Sequence, residues 1–116
     1  MVKVIIDRDG DGAIKMFEVE GHSGFDEPGR DIICAAASVT AYNTVGALRE
    51  LANIRECHTE RSGYMKIELP DNIAGAMKQT ADIIMNTAYI GFIQIEKSYP
   101  GFFNDFGSVG GIYKEI

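Results

Sequence analysis

Residues 31–52 read DIICAAASVTAYNTVGALRELA. Asp31 is a good helix N-cap, and Ile32, Ile33, Cys34, Ala35, Ala36 and Ala37 follow it without a breaker. The stretch therefore predicts a helix over 31–52 with Cys34 in its first turn. Its first half is apolar on nearly every face, which predicts a centrally buried helix. Arg49 and Glu50 mark its exit to the surface.

Toward the N-terminus, Val2 to Ile6 is a β-branched run and Ala13 to Glu20 alternates apolar and polar residues. Asp7-Arg8-Asp9-Gly10-Asp11-Gly12 lies between them and is dense in turn formers. Together they predict a β-hairpin. Gly21 to Arg30 holds three glycines and a proline and reads as a loop. Toward the C-terminus, Ile54 to Glu60 and Tyr64 to Leu69 flank Ser62-Gly63, a second hairpin. Asn72 to Lys97 then carries helical spacing through Ile73, Met77, Ala81, Ile84, Ala88 and Phe92. Glycines 101, 107, 110 and 111 break any long element after Tyr99, leaving a short last strand over 109–116. The order is β-β-α-β-β-α with that last strand, an α+β fold in one small domain spanning 1–116.

A chain of 116 residues can bury roughly two thirds of its unfolded surface, enough for a core without staples. The hydrophobic fraction is 46%, the charged fraction 24% and the formal net charge −6. The acidity argues against direct nucleic-acid binding, which needs a basic footprint, and is compatible with a basic protein partner. No run approaches the ~20 apolar residues of a membrane span. Met1 to Asp7 is too short and too charged for a signal peptide. The expected setting is cytoplasmic, with Cys34 and Cys57 as thiols.

Asp7, Asp9, Asp11, Gly12, Ile14 and Glu18 match the spacing of a calcium-binding EF-hand loop. Such a loop is gripped between two helices, whereas Val2, Val4, Ile5 and Ile6 favour a strand. The preferred reading is a solvated acidic hairpin turn, with a calcium module as an alternative. A zinc site from His22, Cys34, Cys57 and His58 lacks the close paired spacing of structural zinc sites. No metal or cofactor is expected.

A thiol near a helix N-terminus is favoured as the thiolate, which is the nucleophile. His22 ends the second strand, and a strand end can meet a helix start across a glycine-rich loop. The two would form a thiolate–imidazolium dyad, with N–H groups near Cys34 and Ala35 placed to hold an oxyanion. By spacing alone, Cys34 is as well read as a small buried hydrophobe in an alanine-rich helix, and His22 as a surface histidine. Cys57-His58 is a rival pair, but neighbours in a strand point to opposite faces. Cys57 is therefore read as packing. A redox pair of Cys34 and Cys57 requires both sulfurs within disulfide reach.

Gly21-His22-Ser23-Gly24-Phe25 followed by Gly29-Arg30-Asp31-Ile32-Ile33-Cys34-Ala35-Ala36-Ala37-Ser38 closely resembles the signature of the Prp (YsxB-like) family of bacterial ribosomal-processing cysteine proteases. The twelve-residue step from His22 to Cys34 matches. Ser23, Phe25, Ile33 and Ala37 are mild departures. The likeness runs to about Phe103 and includes Ser98-Tyr99-Pro100; 104–116 reads as a divergent C-terminal tail. The resemblance implies a homodimeric α+β protease that removes a short N-terminal extension from the basic large-subunit ribosomal protein L-twenty-seven, after paired aromatic residues. It also implies that Cys34 is the nucleophile and His22 the general base, with Asp31 and Ser38 near the dyad. The loop from Ser23 to Arg30 would be a lid, with Gly24 and Gly29 as hinges and Asp26 and Glu27 facing a basic substrate. A non-catalytic protein binding the same ribosomal partner is the alternative, and the intact His22 and Cys34 argue against it.

Overall fold

Alternating burial along the first two strands shows why they pair. The computed structural model describes residues 2–21, 28–98 and 103–109, with backbone alone at 28–31 and 103–109. Strand β1 (Val2–Arg8) buries Val2, Val4 and Ile6. It pairs antiparallel with β2 (Ile14–Glu20), which sets Val4 beside Val19 and Ile6 beside Phe17. One face is therefore apolar and turns inward. The other carries opposite charges in register: Lys3 faces Glu20, and Glu18 faces Lys66. Such cross-strand pairs favour one register over its slipped alternatives.

The acidic run between β1 and β2 is a hairpin turn. The Asp9 Oδ1 atom accepts from the backbone N–H groups of Asp11 at 2.9 Å and Ala13 at 3.0 Å. Its other oxygen lies 3.6 Å from the Lys78 ammonium. The carboxylate at the third position of the calcium-loop spacing thus serves its own backbone and the protein's own cation. Gly12 closes the turn at φ 88°.

Helix α1 (Pro28–Ala52) packs across the inner face of the sheet. It starts three residues before the predicted N-cap. Proline suits the first helical position, where its missing N–H costs nothing and its fixed φ is already helical. Asp31 is consequently inside the helix, and Gly29, expected as a hinge, is its second residue. The helix is buried on one stripe, through Ile33, Ala37, Ala41, Val45, Leu48 and Ala52. Ile32 is 53% exposed and Val39 67%, so the prediction of burial on nearly every face fails. A helix lying on a single sheet has one side to bury, whatever its composition. Asn53 ends the helix at φ 58°, a left-handed position that asparagine tolerates.

Strands β3 (His58–Arg61) and β4 (Tyr64–Glu68) form the second hairpin. Helix α2 (Gly75–Ser98) lies beside α1 and buries Ala81, Ile84, Met85, Ala88 and Phe92. The Phe92 ring meets Phe17 with centroids 5.5 Å apart, tilted by 56°, within the range of favourable aromatic pairs. Strand β5 (Phe103–Val109) returns parallel to β1 and completes a sheet of order β3-β4-β2-β1-β5. Strand β5 was not predicted, and the short strand expected over 109–116 lies, beyond Val109, outside the described residues. The architecture is a two-layer α+β sandwich with the predicted β-β-α-β-β-α order.

Candidate active site

The stripe of α1 at Cys34, Ala37, Ser38, Ala41 and Tyr42 follows helical i, i+3, i+4, i+7, i+8 spacing and so shares one face. That face meets Val2, Val19 and Gly21 from the first hairpin and residues 60–65 from the second. Together they enclose a groove of about 430 Å³, within the range of ligand-binding clefts. Its floor is apolar, through Val2, Val19, Ala37, Ala41 and Met65, and Glu60 and Arg61 supply charge at the second hairpin. Cys34 is partly exposed and lines this groove. It is not a sealed core cysteine.

Tyr42 and Glu60 bridge the groove from helix to hairpin: the Tyr42 hydroxyl donates to the Glu60 carboxylate. That hydrogen bond and the carboxylate's charge hold the Tyr42 phenol above its ordinary range. The Tyr64 hydroxyl donates to Glu18 at 2.8 Å, while the Arg61 guanidinium stacks 3.9 Å from the Tyr64 ring. Burial first, then the bond to Glu18, raises the Tyr64 phenol. The sequence reading missed these groove residues. Tyr42 was within reach, being two helical turns after Cys34 on the same face. Glu60 and Tyr64 approach it only through sheet packing, which no local pattern reports.

Of the predicted site residues, the structure brings Cys34 and Ser38 into one groove. Gly21, which immediately precedes His22 in the chain, lines it too. His22, Gly24, Asp26 and Glu27 lie outside the described residues. Asp31 is in α1, three positions before Cys34. The early start of α1 corrects the oxyanion assignment. Cys34 is the seventh residue of the helix, so the N–H groups of Cys34 and Ala35 point to the carbonyls of Arg30 and Asp31 in a regular α-helical ladder. The unpaired donors belong to the first turn.

Cys57 is 6% exposed. Burial pushes its thiol up, against a smaller opposing effect of Arg49. It packs in the core as expected. It borders a separate groove with Glu56, His58, Lys66 and residues 68–71 that shares no residue with the one at Cys34. The His58 Nε2 atom faces Glu60 at 3.4 Å, so the rival pair finds its imidazole engaged elsewhere. The two cysteines are not joined in a disulfide.

A partly exposed thiol on a helix flank, open to a groove of about 430 Å³ walled by a hairpin, is the arrangement of a thiol enzyme of α+β class. Residues 1–104 match the family described as cysteine protease Prp, and the chain belongs to that family of cysteine proteases. The ribosomal processing cysteine protease Prp of Bacillus subtilis (strain 168) is 29% identical over 101 residues, covering 85% of this chain and 90% of the relative. A Staphylococcus aureus ribosomal processing protease, solved with a covalently linked product peptide, is 25% identical, with TM-score 0.78 over 94% of this chain and all of that one. The Streptococcus mutans protein SMU.848 is 27% identical, with TM-score 0.79 over 94% of this chain and 96% of its own.

Proposed function

We propose that this protease removes a short N-terminal extension from ribosomal protein L-twenty-seven, with Cys34 as nucleophile and His22 as general base. The observation that carries the reading is the position of Cys34 in a groove that Gly21, the residue before His22, also lines. The thiolate attacks the scissile carbonyl, and the imidazolium protonates the leaving amine. His22 then activates a water that hydrolyses the thioester. Ser38, one turn from Cys34, and Asp31 support the dyad. The segment bearing Gly24, Asp26 and Glu27 covers the bound peptide, and its two carboxylates meet a basic substrate.

The name of the Bacillus subtilis relative, a ribosomal processing protease, supports the choice of substrate. The covalent product complex of the Staphylococcus aureus relative supports an acyl-enzyme route. Among the described residues no helix is long and apolar enough to cross a membrane, in keeping with work in the cytoplasm. A homodimer fits the apolar shallow groove where Ala35, Ala36 and Val39 of α1 border Gly91 and Ile95 of α2.

The test is incubation with a lysine-rich peptide whose extension ends in two phenylalanines, followed by mass spectrometry. Wild-type protein should cut after the pair and Cys34→Ala should not. An uncut peptide with wild-type protein would remove the substrate assignment.

A further inference from the structure

The turn that joins β3 to β4 touches the site from a distance in sequence. Gly63 occupies its second central position at φ 73°, a left-handed conformation that favours glycine. Its carbonyl accepts the N–H of Gly21 at 3.0 Å. A Cβ built on Gly63 would lie 2.6 Å from the Gly21 carbonyl oxygen, closer than real Cβ contacts come. That neighbour is backbone and cannot rotate away. Gly21 has little room to retreat, because a Cβ on it would already sit 3.2 Å from Val2 Cγ2. The last residue before His22 is thus clamped between β1 and the tip of the second hairpin.

From this clamp we infer that Gly63 is a positioning residue for catalysis. The absent side chain of Gly63 lets the turn dock on Gly21, and the docking fixes the origin from which His22 reaches Cys34. The inference rests on the dyad reading above. Gly63 itself touches no reacting atom. Its effect passes through one backbone contact to the residue next to the base.

The first hairpin supplies an internal control. Gly12 has φ 88°, yet a Cβ there meets nothing within 4 Å. Gly12→Ala and Gly63→Ala share the strain of a left-handed alanine, but only the second collides with the strand end. The experiment measures alkylation of Cys34 by iodoacetamide at pH 7, read by peptide mass spectrometry, beside peptide cleavage kinetics and thermal unfolding. Gly63→Ala should slow alkylation toward the rate of His22→Ala and lower kcat by ~10- to 100-fold, the scale of an ångström-sized misplacement. Gly63 also lines the groove, so the alkylation rate, read without peptide, separates lost positioning from altered peptide binding. Gly12→Ala should lose a comparable melting temperature while keeping wild-type alkylation and kcat. Gly63→Asn keeps the Cβ in a residue that tolerates left-handed φ, so it should stay folded and reproduce the loss. A folded Gly63→Asn protein with wild-type alkylation and kcat overturns the inference while the dyad stands. Wild-type alkylation in His22→Ala would overturn the dyad and the inference with it.

Discussion

Cys34 and Cys57 carry the same sulfur and meet opposite surroundings. Cys57 is held in the core, where burial disfavours the thiolate. Cys34 is exposed to a groove lined by two tyrosines and the tip of a hairpin. Cys34→Ala should therefore lower turnover by at least ~10³-fold, as loss of a covalent nucleophile does. Cys57→Ala should leave kcat within about twofold and cost on the order of 1 kcal/mol of stability for the small cavity left behind. Cleavage assays and chemical denaturation of both variants check this; the reverse pattern would move the site. The cysteine and the histidine were legible in the sequence because their motif is local. Tyr42 and Glu60 were not, since their hydrogen bond joins a helix to a strand eighteen residues on.

Elements were legible where periodicity was strong and less so at their ends. The alternation of Ile14–Glu20 and the stripe of α2 at Ala81, Ile84, Ala88 and Phe92 placed both elements within a few residues. The start of α1 was misplaced because Asp31 offers a good cap while Pro28 offers a better first position. Strand β5 was not legible because Gly107 interrupts its pattern and its hold is backbone pairing along β1. At the first hairpin, Asp9 holds the turn. Its burial opposes ionisation, but the Ala13 and Asp11 N–H groups and Lys78 outweigh this and hold its carboxyl below the usual range. A depressed carboxyl contributes stability that is present above its unfolded value, about 3.9, and is lost as pH falls through the folded one. Asp9→Ala should cost about 1–2 kcal/mol at neutral pH through its two backbone hydrogen bonds. The gap from wild type should close below about pH 4. Urea unfolding across that range tests it, and a gap that stays constant with pH would contradict it.

For the whole molecule, a two-layer sandwich leaves α1 with one covered side and one open side. The open side shows Ile32 and Val39 beside the shallow groove shared with α2. Exposed apolar surface of this kind marks contact surfaces. The homodimer proposed above predicts that wild-type protein sediments as a dimer and Val39→Asp as a monomer. A wild-type monomer would contradict it, and a Val39→Asp dimer would place the contact elsewhere. The sheet order and the groove emerge only at this scale, where β1 and β2 are flanked by the second hairpin and by β5. Catalysis by this molecule turns on a covalent bond to one sulfur. Intact-mass spectrometry of enzyme quenched within a turnover of adding peptide reads it directly. The expected result is a protein heavier by the N-terminal fragment, attached at Cys34 and absent in Cys34→Ala. A fragment attached at Cys57, or cleavage that proceeds in Cys34→Ala, would contradict it.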